Sequence, residues 1–181
     1  MMGMTNGAVL KTCRLGYDGK GQARIKASDN GHDGFLSLNS DDCILEELVD
    51  FNAEASFLVA RNENGEMQSF PASINHHENG ILARSNAPAD PSILTSSLLA
   101  EGQDAVAALA EDLALTGLLA VEMFITDDGL IFNEMAPRPH NSFHWTIEGT
   151  KTSQFAQLVR AITGLPLAQL RPWGNGRWTI S

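Results

Sequence analysis

The stretch Leu118–His144, LLAVEMFITDDGLIFNEMAPRPHNSFH, predicts the structure around which the rest of the chain is arranged. It contains two short apolar runs with one carboxylate each, Glu122 in AVEMFIT and Glu134 in LIFNEM. The runs are joined by DDG at 127–129, and a glycine after two polar residues is typical of a three-residue hairpin loop. We therefore expect two antiparallel strands with an acid in each.

The register of this hairpin decides whether its two acids meet. If Thr126 pairs with Leu130 across the loop, Glu122 lies directly opposite Glu134. Opposed side chains have Cβ atoms roughly 4.5–5.5 Å apart, so two bare carboxylates there repel each other and need a proton or a cation. Mg²⁺, held by one or two carboxylates and by nucleotide phosphates, meets that need. A two-residue loop would turn one acid to the other face, which leaves an ordinary hairpin with solvated acids as the alternative.

The segment that follows the hairpin, APRPHNSFH at 136–144, is dense in polar groups. Its two prolines prevent it from continuing as a strand or a helix. Arg138 offers a planar fork of donors to a phosphate, and Asn141 offers an amide oxygen to a metal or an amide donor to a phosphate. Together with the two histidines of the segment, these residues indicate a binding site beside the hairpin.

Composition and charge exclude several classes of protein. The 181 residues are 43% hydrophobic and carry a formal net charge of −10, which argues against non-specific binding to nucleic acid or anionic membranes. Two cysteines provide neither a disulfide framework nor zinc spacing, and no apolar run reaches membrane-spanning length. A cytoplasmic protein is therefore expected.

A glycine-rich loop lies in the one cationic region of the sequence. After a strand predicted at 8–15, the chain continues as GYDGKGQ at 16–22, with three glycines and Lys20. Such a loop lets backbone N–H groups approach an anion, although most glycine-rich loops are plain turns. Because Lys11 lies just upstream, we interpret the loop as a flap over phosphates.

Two further acids and a histidine pair are weaker candidates. Glu46 and Glu54 flank a bend between two predicted strands, where one of them would suit the hydroxyls of a nucleotide sugar. Solvated acids at strand ends are the alternative. His76 and His77 are adjacent in NHHENG at 75–80, and neighbours in an extended chain point to opposite faces. We therefore expect no zinc site there, and one of the two histidines near substrate.

Two helices are predicted in the second half of the chain. Asp90-Pro91 has the residue types of an N-cap and a first helical position, and the amphipathic helix that follows extends to about residue 115 with a break near Gly102. A second helix at 155–163 follows the cap Thr152–Gln154, and its apolar face is expected in the core.

Four strings resemble the ATP-grasp ligases, in particular the 5-(carboxyamino)imidazole ribonucleotide synthases of purine biosynthesis. They are KTCRLGYDGKGQ at 11–22, CILEELVDF at 43–51, NEMAPRPHNSFHWT at 133–146 and TSQFAQLVRAITGLPL at 152–167. The resemblance covers about residues 9–167 in the family's order, and the last two strings are highly specific. It implies an α+β ATP-grasp fold of antiparallel sheets with packed helices over 1–167. It also implies the start of a small C-terminal β domain at 168–181 and a missing N-terminal domain.

The resemblance further implies ATP- and Mg²⁺-dependent carboxylation of 5-aminoimidazole ribonucleotide with bicarbonate, through carboxyphosphate, by a homodimer. Residues that match ATP-binding positions are Lys11, Gly16, Gly19, Lys20, Gly21, Gln22, Glu46 and Glu54. Residues that match ribonucleotide-binding positions are Tyr17, Asp18, Lys20, Asn75 and His77. Glu122 and Glu134 match the magnesium carboxylates. Arg138 matches a residue that contacts the anionic intermediate, and Asn141 one that contacts metal or phosphate.

One residue departs from the family pattern, which has glycine where this chain has Phe143. A phenylalanine there is expected to crowd a loop that contacts substrate, or to demand a different backbone angle. Two alternatives stay open, and Phe143 favours the second of them. One is another carboxylase-type ATP-grasp ligase, such as a relative of biotin carboxylase, and the other is a nucleotide-binding module without catalysis.

Overall fold

The computed structural model describes residues 7–14, 20–26, 28, 31–78 and 80–171, together with the backbone of 178–180. The chain forms two compact units, Met1–Asp50 with Glu78–Ile81, and Phe51–His77 with Leu82–Ser181. The first unit contains a sheet with one helix and the second a sheet with several, so the predicted α+β class is confirmed. The predicted boundary between residues 167 and 168 stays a prediction.

The first unit is a three-stranded sheet with one helix. Its elements are β1 (Ala8–Thr12), β2 (Gln22–Ile25), α1 (His32–Leu38) and β3 (Cys43–Glu47). The strand order is β2-β1-β3, and both pairings are antiparallel. The sequence did not predict α1. Its sequence, HDGFLSL, has no apolar stripe of helical period, which is the pattern on which a helix prediction depends. In agreement with this, none of its residues is buried.

The second unit is built on a seven-stranded sheet. Its elements are β4 (Ala53–Arg61), β5 (Met67–Ser69), β6 (Ser73–Glu78), β7 (Ile81–Ala87), α2 (Ser96–Asp112), β8 (Gly117–Thr126), β9 (Gly129–Ala136), a 3₁₀ turn (Asn141–Phe143), α3 (Thr146–Gly149), α4 (Gln154–Ile162) and β10 (Trp178–Ile180). The strand order is β10-β7-β6-β4-β8-β9, with β5 beside β4. In the described part of the chain, no helix is both long and apolar enough to cross a membrane.

The central strands β4 and β8 are covered on both faces of this sheet. On one face, Val121 belongs to a core with Val106 of α2. On the other face, Leu58 belongs to a second core with Ala161 of α4. Because side chains alternate along a strand, Glu122 points to the same face as the second core and lies where that core ends.

Helix α2 begins later than predicted and has no break. Its N-cap is Thr95, whereas Asp90 accepts a hydrogen bond from the backbone N–H of Ser92 at 3.0 Å and so caps only a turn. The helix continues through Gly102, where an added Cβ would lie 2.3 Å from the ring of Phe57. The predicted break is therefore wrong, because the glycine permits close packing of α2 on β4 and does not end the helix.

Replacing Gly102 by alanine is expected to destabilise the protein by about 2–3 kcal/mol. Helix propensity alone would favour alanine by about 1 kcal/mol, but Phe57 is only 2% exposed, so its ring and α2 must shift apart within the core to admit the methyl group. Chemical denaturation measures the difference. Ser97→Ala, at an exposed position of the same helix, is the control and should change stability by less than about 0.5 kcal/mol. A Gly102→Ala protein as stable as the parent would show that the packing of α2 is loose.

Helix α4 lies within one residue of its predicted bounds, but its orientation differs from the prediction. Its buried side chains are Gln154, Gln157 and Ala161. Its apolar side chains Phe155, Val159 and Ile162 are exposed. The expectation that the apolar face lies in the core is therefore wrong. The physical reason is that the two glutamines hydrogen-bond to the backbone of neighbouring loops.

Candidate functional site

The hairpin of β8 and β9 places Glu122 directly opposite Glu134. The predicted pairing of the two acids is confirmed, but the predicted loop length is wrong. The turn has two residues, 127 and 128, so Thr126 pairs with Gly129 and not with Leu130. A regular two-residue hairpin would not oppose the two acids.

A β-bulge in β9 restores the pairing of the acids. Met123 pairs with Phe132, and the next pair toward the base of the hairpin is Glu122 with Glu134. Asn133 is therefore an extra residue on β9 that shifts the register by one position. The bulge compensates for the shorter turn and keeps both carboxylates on one face of the sheet.

The two carboxylates differ strongly in their exposure. Glu122 is only 5% exposed, whereas the side chain of Glu134 is 60% exposed. Burial, followed by the negative charge of Glu134, raises the pKa of Glu122 to about 7. Glu122 therefore tends to keep a proton, as expected for one of two close acids without a cation.

A buried network of hydrogen bonds holds Glu122 in place. Its Oε1 accepts hydrogen bonds from Oγ of Ser56 and from Nδ2 of Asn75, both at 3.1 Å. Asn75 is fixed in turn, because its Oδ1 accepts from Ser85 at 2.9 Å and from Ser73 at 3.3 Å. The buried amide of Asn75 supports the carboxylate of Glu122, and its predicted contact with substrate stays a prediction.

The imidazole of His140 lies between the two acids. Its Nδ1 is 3.7 Å from Oε1 of Glu122, and its Nε2 is 4.0 Å from Oε1 of Glu134. Nδ1 also lies 2.8 Å from Oγ of Ser142, and the whole residue is buried. The sequence places two histidines in this segment but does not indicate which of them contacts the acids. The signal available was the position of His140, six residues after Glu134 in a segment stiffened by two prolines.

Gln154 at the start of α4 holds His140 through its backbone. The backbone N–H of His140 donates to Oε1 of Gln154, and Nε2 of Gln154 donates to the carbonyl of His140, both at 2.9 Å. The backbone N–H of Gln154 donates to Oγ1 of Thr146 at 3.0 Å. The sequence indicates only that this glutamine belongs to a helix cap, because the tertiary fold decides which backbone its side chain contacts.

Glu54 and His77 form a second pair of groups close to Glu122. Oε2 of Glu54 lies 2.5 Å from Nδ1 of His77, and both side chains are largely buried. The contact with Glu54 raises the pKa of His77, an effect that burial opposes. Glu54 lies on β4 and His77 on β6, the strand that pairs with it.

Arg138 and Asn141 are exposed at the end of the hairpin. Nη1 of Arg138 donates to the neighbouring carbonyl of Pro139 at 3.0 Å. Within the described residues, neither side chain forms a hydrogen bond or ion pair with Glu122 or Glu134, and His140 occupies that place. Their predicted roles stay predictions.

Phe143 does not crowd the site. It is fully buried in the second core, with its ring centroid 6.3 Å from that of Phe70, and it has no positive φ. The expectation of a strained or crowded loop is therefore wrong, because the ring points into the core.

The chain matches the model of a known family. A model of the ATP-grasp domain matches residues 2–155, which is most of the chain. The chain belongs to the ATP-grasp family. The predicted fold family is thereby confirmed.

Several relatives of this ATP-grasp chain have names. It is 48% identical over 163 residues to the N5-carboxyaminoimidazole ribonucleotide synthase of Bacillus subtilis (strain 168), covering 90% of this chain and 42% of that protein. The structure of the N5-carboxyaminoimidazole ribonucleotide synthetase of Thermus thermophilus superposes with a TM-score of 0.84 at 39% identity, covering 96% of this chain and 45% of that one. The Aspergillus clavatus synthase in complex with ADP and 5-aminoimidazole ribonucleotide has a TM-score of 0.78 at 28% identity, covering 92% and 44%. This chain thus spans less than half the length of these relatives.

The first unit of the ATP-grasp chain contains the other predicted nucleotide ligands. Nζ of Lys11 forms an ion pair with Oε2 of Glu46 at 2.6 Å, between β1 and β3. Of the predicted glycine-rich loop, Lys20, Gly21 and Gln22 are described, and Gly21 has a φ of +73°. Gly16, Tyr17, Asp18 and Gly19 lie outside the described residues.

The acids of the second unit fit a divalent cation. Within the described residues, no lysine or arginine pairs with Glu54, Glu122 or Glu134, and their ion-pair partners are His77 and His140. Glu134 and Oε2 of Glu122 also accept no hydrogen bond from the described residues. Two opposed carboxylates with free oxygens are the donors that Mg²⁺ prefers. The predicted magnesium ligands thus have the expected chemistry.

The raised pKa of Glu122 makes the stability of the metal-free protein depend on pH. Because the folded state binds this proton more tightly than the unfolded state, the stabilisation is fully present below about pH 4.5 and is lost as the pH rises through about 7. The loss corresponds to about 3 kcal/mol. Denaturation in the presence of EDTA across this range measures it. Glu122→Gln keeps an oxygen for Ser56 and Asn75, and in this variant the loss of stability should be smaller by this amount. If the free energy of unfolding of the parent and the variant changes equally with pH, the pKa of Glu122 is not raised.

Proposed function

We propose that this chain is the ATP- and metal-binding part of a ligase that carboxylates 5-aminoimidazole ribonucleotide with bicarbonate in purine biosynthesis. The observation that carries the proposal is the opposed pair Glu122 and Glu134 on an ATP-grasp hairpin. The names of the relatives, and the complex of one of them with ADP and the ribonucleotide, support this choice of substrate. Because the chain spans less than half of these relatives, we expect it to bind nucleotide weakly and to turn over little alone.

The residues of the second unit provide the polar end of the nucleotide site in this proposal. Glu122 and Glu134 would hold Mg²⁺, which, when bound, neutralises the charge on the phosphates of ATP. His140 separates the two acids and offers a ring N–H to an anion beside them. Arg138 offers a guanidinium to the anionic intermediate, and Asn141 an amide to phosphate or metal.

The proposed reaction has two steps. An oxygen of bicarbonate attacks the γ-phosphorus of ATP, the bond to the bridging oxygen breaks, and ADP leaves while carboxyphosphate forms. The amine of the ribonucleotide then attacks the carboxyl carbon, the bond from that carbon to the phosphate oxygen breaks, and the nitrogen loses a proton. The products are a carbamate and phosphate. Lys11 and Lys20 would offer cationic groups to the phosphates of the nucleotide.

A chimaera tests the substrate assignment. Residues 9–167 of this chain replace the matching region of the Bacillus subtilis relative, and ADP formation is followed with ATP and bicarbonate. We expect ADP formation that requires Mg²⁺ and rises at least about tenfold with 5-aminoimidazole ribonucleotide but not with biotin. Stimulation by biotin alone would favour the biotin carboxylase alternative. A chimaera that binds ADP with Mg²⁺ but responds to neither acceptor would favour the module without catalysis.

The nucleotide part of the proposal can be tested on this chain alone. Calorimetric titration with ADP should show binding in the presence of Mg²⁺ and much weaker binding in EDTA. Equal affinity under both conditions would contradict the role of the acids. The predicted cytoplasmic location and homodimer stay predictions. Phe143, which in the sequence favoured a module without catalysis, no longer does so, because it fills the core.

A further inference from the structure

Three donor groups from three neighbouring strands meet at one point of the second unit. They are Glu54 of β4, His77 of β6 and Glu122 of β8. One oxygen of each acid and one nitrogen of the imidazole all lie within 4.8 Å of one another. The strands are consecutive in the sheet order β6-β4-β8, so sheet pairing and not a loop determines the position of this cluster, which we term the strand triad.

One atom of the strand triad is buried without a hydrogen bond, and a second, on a largely buried side chain, accepts none from the described residues. Glu122 is 5% exposed, and Ser56 and Asn75 both donate to its Oε1, which leaves Oε2 with no donor among the described residues. Nδ1 of His77 is completely enclosed, and its contact with Glu54 lacks the geometry of a hydrogen bond. An enclosed polar atom such as Nδ1 of His77 ordinarily has a hydrogen-bond partner. Donor atoms of His77 and Glu122 lie within 4.8 Å of each other, so one small ligand can contact both side chains.

The donor types indicate which ligand fits. Two carboxylate oxygens and one imidazole nitrogen suit a borderline transition-metal ion, whereas Mg²⁺ prefers oxygen alone. Ser56 and Asn75 already orient Glu122, as the supporting hydrogen bonds of a metal site do. Donor-to-metal distances of about 2.0–2.2 Å place two ligands of one ion roughly 3.4 Å apart. Oε2 of Glu54 and Nδ1 of His77, now 2.5 Å apart, must therefore separate to admit the ion between them. We propose that Glu54, His77 and Glu122 form a second metal site, which binds Zn²⁺ or Co²⁺ in preference to Mg²⁺.

The strand triad shares one acid with the proposed magnesium site. Glu122 belongs to both, whereas Glu134 belongs only to the pair and His77 only to the triad. A transition-metal ion on the triad and Mg²⁺–nucleotide on the pair should therefore exclude each other. This consequence, unlike the metal site itself, rests on the proposed function, and it makes the triad a point at which Zn²⁺ inhibits nucleotide binding.

Titration with Co²⁺ alone tests the site. The whole chain, free of nucleotide and Mg²⁺ at about pH 7.5, is titrated with Co²⁺ while visible absorption is recorded, and Zn²⁺ is then used to displace the ion. We expect one Co²⁺ per chain. His77→Gln should weaken binding at least about tenfold, whereas His76→Gln, the matched control on the neighbouring residue of the same strand, should change it by less than about twofold. Circular dichroism establishes that each variant is folded.

Glu134→Gln separates the site from the proposed function. It should leave the Co²⁺ affinity within about twofold while it weakens Mg²⁺-dependent binding of ADP. Absence of Co²⁺ binding by the parent chain would overturn the site. Equal affinities of the parent and His77→Gln, or equal losses in His77→Gln and His76→Gln, would also overturn it. If His77→Gln does not fold, Glu54→Gln is measured in its place. It should also weaken Co²⁺ binding at least about tenfold, and an affinity equal to that of the parent would overturn the site. Failure of ADP binding with intact Co²⁺ binding would count against the proposed function alone.

Discussion

Glu134→Gln is expected to weaken the Mg²⁺-dependent binding of ADP by about a hundredfold without unfolding the protein. The side chain of Glu134 is 60% exposed, so the amide disturbs no core packing. It removes one of two opposed carboxylates and therefore half of the charged oxygens offered to the cation. Calorimetric titration with ADP, with and without Mg²⁺, measures the effect.

The same substitution has a second expected consequence. The charge of Glu134 is the largest cause, after burial, of the raised pKa of Glu122, so this pKa should fall toward its ordinary value. Asp128→Asn removes the same charge from an exposed position in the turn of the same hairpin and serves as the control. It should leave ADP affinity within about twofold. Equal losses in the two variants would mean that general charge, and not the opposed pair, governs the binding of the cation.

Gln154→Leu is expected to lower the free energy of unfolding by about 3–4 kcal/mol. Leucine is close to glutamine in size, so the main loss is chemical. The backbone N–H and carbonyl of His140 would both lose their 2.9 Å hydrogen bonds in a buried place. The same substitution frees the segment that places the imidazole between Glu122 and Glu134, so Mg²⁺-dependent nucleotide binding should also weaken.

The chain contains a matched control for this substitution three residues further along α4. Gln157 holds the backbone of Ala168 in the same way, with Nε2 donating to the carbonyl and the N–H donating to Oε1, both at 3.1 Å. Gln157→Leu should destabilise the protein to a similar degree. Under conditions in which the variant is fully folded, its affinity for nucleotide should be unchanged. Equal effects of both substitutions on nucleotide affinity would show that Gln154 has only a structural role.

The hairpin shows how a correct conclusion can come from an incorrect intermediate step. The sequence predicted that Glu122 and Glu134 are opposed, but through a three-residue loop. The structure has a two-residue turn and an extra residue, Asn133, which together give the same pairing. A bulge leaves no pattern in hydrophobic periodicity, because it depends on the strand that pairs with it.

The helices show which tertiary effects sequence patterns miss. Gly102 is unfavourable in a helix by propensity alone, yet it lies in the middle of α2 because the ring of Phe57 occupies the space of a side chain. Helix α4 buries Gln154 and Gln157, since their amides bind the backbone of His140, before the helix, and of Ala168, after it. Neither contact is visible in the local sequence.

The sequence by itself determined the family, the α+β class and the two acids of the hairpin. These depend on specific strings and on residues close along the chain, whose mutual position local geometry sets. Only the tertiary structure decided which groups surround those acids, namely His140, Ser56, Asn75 and the strand triad. The hydrogen bonds that hold this site, from Gln154 to His140 and from Ser56 to Glu122, join residues 14 and 66 positions apart. Contacts over such separations depend on how the sheet pairs and how α4 packs on it, which no local pattern encodes.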